Sequence, residues 1–321
     1  MSDALAALRD GVRRVNRAPA VLFGVWALTL AVTLPAAAVM GRAIARDLGH
    51  SLAADTAADG VNYEWMQEFA ARGGGFASTL QPTVIGVAAV LDNLSALADN
   101  TPRPAPILAM AAAYAVLWLF LAGGIIDRYA RDRATRAFGF FGACGVLFFR
   151  FLRLALVQVV VYGLLFGVLH PRLSAYTASA PARLAFYVVF GALVAGANLV
   201  FDYAKVRAVI EDRHSMVGAL GAALGFVRRH AAAAVTLYVL DVLLFVAAVI
   251  AYGVLAPGVG RGALVWVGVA MGGSFLAVRL WVKLTFWASE AALFQMQLAH
   301  AGYVARPEPV WPESPAAEAI G

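Results

Sequence analysis

The stretch 209–255, VIEDRHSMVGALGAALGFVRRHAAAAVTLYVLDVLLFVAAVIAYGVL, decides how the chain is read. Its second half, Ala231 to Leu255, is apolar apart from Asp241 and a few hydroxyls. A helix rises about 1.5 Å per residue and a hydrocarbon core about 30 Å thick takes roughly 20 apolar residues, so this run has the length of a membrane span. The first half is different. After the polar turn EDRHS, a Gly/Ala-rich segment carries a thin line of large apolar residues, Met216, Leu220, Leu224 and Val227, at helical steps. Gly218, Gly221, Ala222 and Gly225 form a smooth face suited to close helix packing. Arg228 and Arg229 close the segment where the helix dipole is negative and lipid phosphates are near. The pattern predicts an interfacial helix lying flat under the bilayer. A structured cytoplasmic loop is the alternative, and the span count does not depend on the choice.

The rest of the chain agrees with a membrane solvent. Of 321 residues, 62% are hydrophobic and 14% charged, with a mean hydropathy of +0.77. Soluble domains run at about 45–50% apolar and about 25% charged. Six spans are predicted, 18–40, 105–126, 151–169, 184–201, 231–255 and 263–286, giving an all-α polytopic bundle in one membrane domain, 1–300. The first span is too long for a signal-peptide core of about 7–15 residues. Lys and Arg number 18 on the N-terminal side of the membrane and 7 on the other, which places both termini in the cytoplasm of a bacterial inner membrane. This asymmetry, and not nucleic-acid binding, explains the net charge of +6.

The segment 41–104 is the large extracytoplasmic loop. In it, Tyr63 and Trp65 suit the headgroup boundary, and PTVIGVAAVLDNLSALA (82–98) reads as a helix on the bundle or at the interface, with a re-entrant segment as the alternative. Residues 301–321, with proline at 307, 309, 312 and 315, read as a disordered cytoplasmic tail.

An internal repeat underlies these spans. Asp127, Tyr129, Ala130 and Arg131 leave one span much as Asp202, Tyr203, Ala204 and Lys205 leave another; each is followed by a Gly/Ala/Phe segment ending at Arg150 or Arg228. The N-terminus, ALRDGVRRVNRAPAVLFGVWAL, matches the second half of the pattern. Three units are expected, each an interfacial helix followed by an outgoing and a returning span. The basic residues closing these helices, Arg13, Arg14, Arg17, Arg150, Arg153, Arg228 and Arg229, are expected at lipid headgroups. The stretch AVIEDRHSMVGALGAALGFVRRH (208–230) resembles the bacterial polytopic membrane domain found beside glycerophosphodiester phosphodiesterases and its uncharacterised relatives. The resemblance covers about residues 195–255, with no phosphodiesterase sequence beside it; it implies a helical membrane module and carries over no catalytic residue.

No nucleotide, zinc-protease or hydrolase motif is present, and no catalytic residue, cofactor or metal site is expected. The single Cys144 forms no internal disulfide, and the five histidines show no metal-ligand spacing. Asp241 is the sharpest feature, since an ionised side chain at mid-membrane costs at least about 2.5–3.5 kcal/mol. Treating spans 5 and 6 as a tight hairpin puts Asp241 level with Arg279, so a buried ion pair is expected, with Lys283 one turn away on the same face. A clamp fixing the hairpin and a polar transport path are both open, as is Arg279 reaching the interface while Asp241 is protonated or paired elsewhere. Asp127 with Arg131 and Asp202 with Lys205 have i,i+4 and i,i+3 spacing and read as solvated surface pairs. Gly268 and Gly272, spaced G-x-x-x-G, are expected to pack inside the bundle, with dimerisation as the alternative. Function is expected to be non-enzymatic, organising membrane lipid or assisting other membrane proteins; a small transporter or channel is the alternative.

Overall fold

A computed structural model describes residues 2–49, 51–59, 62–80, 88–132, 135–177, 179–255 and 263–300. The expected tail, 301–321, lies outside them, as does the start of the 82–98 segment. Twelve helices are present among the described residues, and no strand: α1 Ser2–Asn16, α2 Pro19–Leu48, α3 Ala53–Asp59, α4 Tyr63–Arg72, α5 Ala88–Ala98, α6 Ala105–Arg131, α7 Ala137–Leu164, α8 His170–Ser174, α9 Ala180–Ile210, α10 Met216–Arg229, α11 Ala231–Leu255 and α12 Ala263–His300. A π-helical turn, Leu165–Leu169, joins α7 to α8 in one long rod. Six helical rods are long and apolar enough to cross a membrane. At most 17% of each apolar window is covered by protein, so the remaining apolar surface needs lipid as its solvent. The chain is a multi-pass membrane helix bundle.

The core gathers at one end. The largest fully buried side chains include Tyr129, Phe151, Tyr203, Leu237, Leu284 and Phe294, from the ends of α6, α9 and α12 and from α7 and α11. This end also carries most of the basic residues and is called the basic end below. Its architecture follows from α12, whose 38 residues make a rod about 57 Å long against a hydrocarbon core of about 30 Å. The surplus turns are covered by α1. Ala4, Ala7, Gly11 and Val15, at steps of three and four, form its buried face. Gln297 Nε2 donates to Asp3, and Trp281 Nε1 donates to Asn16 at 2.9 Å, so α1 runs antiparallel along the last turns of α12. A Cβ at Gly11 would stand 2.7–2.8 Å from the backbone and Cβ of Ser289, so only glycine permits this approach.

The interfacial-helix expectation is therefore corrected in three ways. The helix α1 lies along α12 and not flat across the bundle end. Helix α10 exists and is capped by Ser215 Oγ, which accepts from Gly218 N, but it folds back along the last turns of α9. Phe226 meets Tyr203 at 4.9 Å between centroids, and Arg207 Nη1 donates to the Ala222 carbonyl at 2.6 Å. Its packed face is Met216, Ala219, Ala223 and Phe226, whereas Gly218 and Gly221, expected to pack, are exposed. Large residues stand at both ends of that face with alanines between them, and Phe226 supplies more contact area than glycines can. The third interfacial helix does not exist separately. Residues 137–150 are the first half of α7, drawn alongside α6 because Gly123 and Gly124 leave room for Leu147 and Cys144.

The span limits extend accordingly. Helices α2, α6, α7, α9 and α12 all run past the predicted spans, and α11 coincides with its prediction. The overhang of α2 meets part of the large loop: Trp65, Met66, Phe69 and Ala77 form a second small core on Met40, Ala43, Ile44 and Leu48. Trp65 Nε1 donates to Asp47 at 2.7 Å, which takes this ring away from the headgroup role expected of it, while Tyr63 is exposed. Gly268 and Gly272 have no neighbour within 4 Å of an added Cβ and do not pack inside the bundle.

The α9–α10 turn is held by charge. Arg150 of α7 donates to Asp212 at 2.6 Å, and Glu211 accepts from Arg207 at 2.7 Å and from Arg213. Burial alone would raise Glu211, but hydrogen bonds and charge from Arg207 and Arg213 outweigh it and hold the carboxyl below its ordinary value. The Arg150 hydrogen bond likewise holds Asp212 down. Unfolded Asp and Glu titrate near about 3.9 and 4.3. With folded values below these, the stabilisation is complete above about pH 4.3 and is lost as pH falls through the folded values. Amide-exchange protection at 211–216 should thus hold from neutral pH to about pH 5 and drop below about pH 4, and Arg150→Ala should remove the Asp212 share of that drop. Protection that is flat through the acid range would contradict the clamp.

The α1–α12 contact makes a second prediction. Gly11→Leu forces overpacking, which costs about 1–3 kcal/mol and should lower the Tm of the detergent-purified protein. Gly24→Ala, where an added Cβ meets nothing within 4 Å, should leave it unchanged. Equal melting of Gly11→Leu and wild type would show that α1 does not dock there.

Candidate functional site

Asp241 does not pair with Arg279. Its side chain is fully buried, and Oδ2 accepts a hydrogen bond from Ser289 Oγ at 3.0 Å. The error lies in register. Tyr252 stacks on Phe275 at 4.1 Å and Tyr238 meets Phe286 edge-on at 5.7 Å. These pairs place Asp241 level with residues 283–286, one to two turns past Arg279, because the first turns of α12 run on beyond the end of α11. Arg279 is exposed and lies over the ring of Phe275. Beside Ser289, Glu290 is 1% exposed, and neither of its carboxylate oxygens has a hydrogen-bond partner among the described residues. Asp241 Oδ1, Thr285 Oγ1 and the Tyr203 hydroxyl are likewise buried and unpartnered. Helix α1 seals this polar knot from one side through Gly11.

The larger cluster is one turn away on α12. Lys283 Nζ stands 3.4 Å from the ring centroid of Trp118 and 5.7 Å from those of Tyr114 and Trp287. Trp118 and Trp287 meet edge to face at 5.5 Å, and Tyr114 meets Trp118 in the same manner. Lys283 makes no ion pair or hydrogen bond among the described residues. Cation–π attraction is worth about 0.5–2 kcal/mol and satisfies none of the three ammonium N–H donors. Lys205 also lies by Trp287, 5.7 Å from its centroid, and is paired with Asp202 at 2.7 Å. This pair, expected to be solvated, has both partners at or below 20% exposure. Asp127 with Arg131 does form an outer pair at 2.7 Å, with the arginine side chain 54% exposed.

These groups stand at one end of a cavity of about 790 Å³. Asp202, Lys205, Lys283, Trp118 and Trp287 line its basic end; Val159, Gly163, Phe166 and Gly167 line its far end. Along α7 the lining runs from Phe151 to Gly167, about 24 Å. The charged groups gather toward the basic end, and Gln158, Tyr162 and Asn100 are the polar residues of a lining that is otherwise mostly apolar. Trp118 is 6% exposed, with the Tyr114 ring edge-on against it. Two ammonium groups lining one volume, against a single carboxylate already paired, suit an anionic head followed by an apolar tail.

The arginines expected at lipid headgroups divide. Arg14 is turned inward, donating to Asp10, to the Tyr129 carbonyl and to Gln295, and Arg150 is used by Asp212; both are structural. Arg13 pairs with Asp10 and Arg17 with Asp132, each with its side chain more than half exposed. Arg153, Arg228 and Arg229 are exposed and available to headgroups. No group of three metal-ligating side chains occurs among the described residues. Of the residues singled out in the sequence, Lys283, Asp202 and Lys205 meet at the cavity. Gln158, one of the few polar residues inside a span, joins them in the lining; Trp118 and Trp287 are not foreseen there, although tryptophan inside a span is a readable signal. Glu290 was missed because the last span was ended at 286. Comparison with protein-family models, curated proteins and solved structures finds no match for this chain.

A mutant cycle separates the two registers. Ser289→Ala leaves a buried acceptor without its donor, at about 1–3 kcal/mol. Unfolding in detergent should show Asp241 and Ser289 coupled by more than about 0.5 kcal/mol and Asp241 and Arg279 uncoupled. Coupling of Asp241 with Arg279 alone would restore the ion pair.

Proposed function

We propose that this protein is a non-enzymatic membrane protein that binds an anionic lipid, head at Lys205 and Lys283 and acyl chain along α7, and so organises lipid around itself. The observation that carries this reading is the polarity of the cavity: two ammonium groups stand toward its basic end, within a lining about 24 Å long in all that is otherwise mostly apolar. Val159, Gly163, Phe166 and Gly167 give an acyl chain an apolar wall to lie against. Aromatic faces compensate the Lys283 ammonium only in part for lost water, which leaves it ready for a phosphate or carboxylate. The exposed Arg153, Arg228 and Arg229 add a weaker attraction for anionic headgroups, about 1 kcal/mol each near a charged surface. By the distribution of Lys and Arg, the basic end and both termini lie on the cytoplasmic side of a bacterial inner membrane.

Purification in native lipid followed by mass spectrometry tests the proposal. The wild type should retain an anionic lipid, and Lys205→Ala with Lys283→Ala should reduce its occupancy by about tenfold or more, the equivalent of a modest binding loss. Arg228→Ala with Arg229→Ala should change it little. Retention of only uncharged lipid, or unchanged occupancy in a folded double-lysine variant, would overturn the assignment.

A further inference from the structure

A second cavity, about 410 Å³, lies across the α6–α12 seam from the first. Thr29 and Thr33 of α2, Tyr114 of α6, Phe245 of α11 and Arg279 of α12 line it. Lys283 and Phe286 line both cavities, so these two side chains form their common wall. Among the described residues the smaller cavity has no carboxylate in its lining, whereas Asp202 offsets Lys205 in the larger. It is therefore the more positive of the two. Arg279 meets no carboxylate among the described residues, its contact being the face of Phe275 at 5.9 Å. Arg279 lies one turn from Lys283 toward the start of α12, about 6 Å further along the rod. Lys283 is a long, rotatable side chain resting on aromatic faces and bound to no carboxylate, so changing its rotamer breaks no ion pair.

We propose that the two cavities are successive stations on one path for the head of an anionic lipid, with Lys283 passing it from the larger to the smaller and Arg279 receiving it there. The inference rests on the lipid-binding reading above. Ionisable side chains within membrane segments mark such paths when they face cavities and lack fixed partners. The guanidinium fork suits the phosphate of a lipid head, and the Lys283 ammonium holds that head as a point charge during the exchange. No covalent step is involved.

The test uses the whole protein in vesicles of phosphatidylcholine and phosphatidylglycerol in equal parts, with a tail-labelled phosphatidylglycerol whose outer-leaflet fraction is quenched chemically. Bound phosphatidylglycerol is measured in parallel by native mass spectrometry. Wild type should speed movement of the label between leaflets. Arg279→Gln should slow that movement about tenfold while keeping the bound lipid, and Lys283→Gln should lower both. Arg279 is exposed, so the folded state of its variant can be verified by an unchanged Tm. Bound lipid with no accelerated movement, or movement unaffected by Arg279→Gln, would overturn the path while leaving the binding site intact. Absence of bound lipid in wild type would overturn the binding reading first. Inorganic phosphate should not slow the label; if it does, the path takes free anions and the lipid assignment fails.

Discussion

The structure depends on a mismatch of lengths. Helix α12 is about 57 Å long and the apolar layer about 30 Å, so its last turns leave the layer with apolar residues still on every side. Leu284, Ala288, Ala291, Ala292, Leu293 and Phe294 are all buried, and protein has to do the burying. Helix α1 supplies one cover along a small-residue face, and the ends of α6 and α9, with α10 folded back, supply the others. Close approach is possible because Gly11 lies against the Ser289 backbone. The result is a protein core at the basic end and a lipid-solvated bundle beyond it.

That division of solvents also produces the cavity. Where the helices are bound into the core their side chains interlock; further along, α6, α7 and α9 turn large apolar residues such as Val159, Val160, Val188 and Val189 outward. The slot opens between these regimes, and the lysines stand at the change. Lys205 and Lys283 each lie 5.7 Å from the centroid of the Trp287 ring, so two like charges share one indole. This arrangement is what makes the proposed anionic occupant physically sensible: an incoming anion meets two cations whose existing contacts compensate them incompletely.

The buried carboxyl groups obey a different logic. Asp241 has one hydrogen bond, from Ser289, and Glu290 has none among the described residues. Unpartnered polar atoms in a core reduce stability, and apolar replacements of buried polar groups are often tolerated or stabilising. Their place between α1, α11 and α12 makes them structural neighbours of the cavity and not part of its wall.

The sequence alone determined the class of object. Uninterrupted apolar runs of about 20 residues have a single physical solution in lipid, the helix that satisfies its own backbone, so the six spans were legible, and α11 was legible to the residue. Local spacing also gave Asp127–Arg131 and Asp202–Lys205, since i,i+3 and i,i+4 pairs are a property of one helix. Tertiary structure alone decided the rest. Whether α10 packs through Gly221 or through Phe226, how far α12 slides past α11, and which arginines turn inward all depend on contacts between segments far apart in the chain. Lipid is as apolar as leucine, so hydrophobicity cannot rank one helix register above another in the membrane; only shape and paired polar groups can. For that reason Asp241 was recognised as important from composition, but its partner, Ser289, emerged only once the rods were packed.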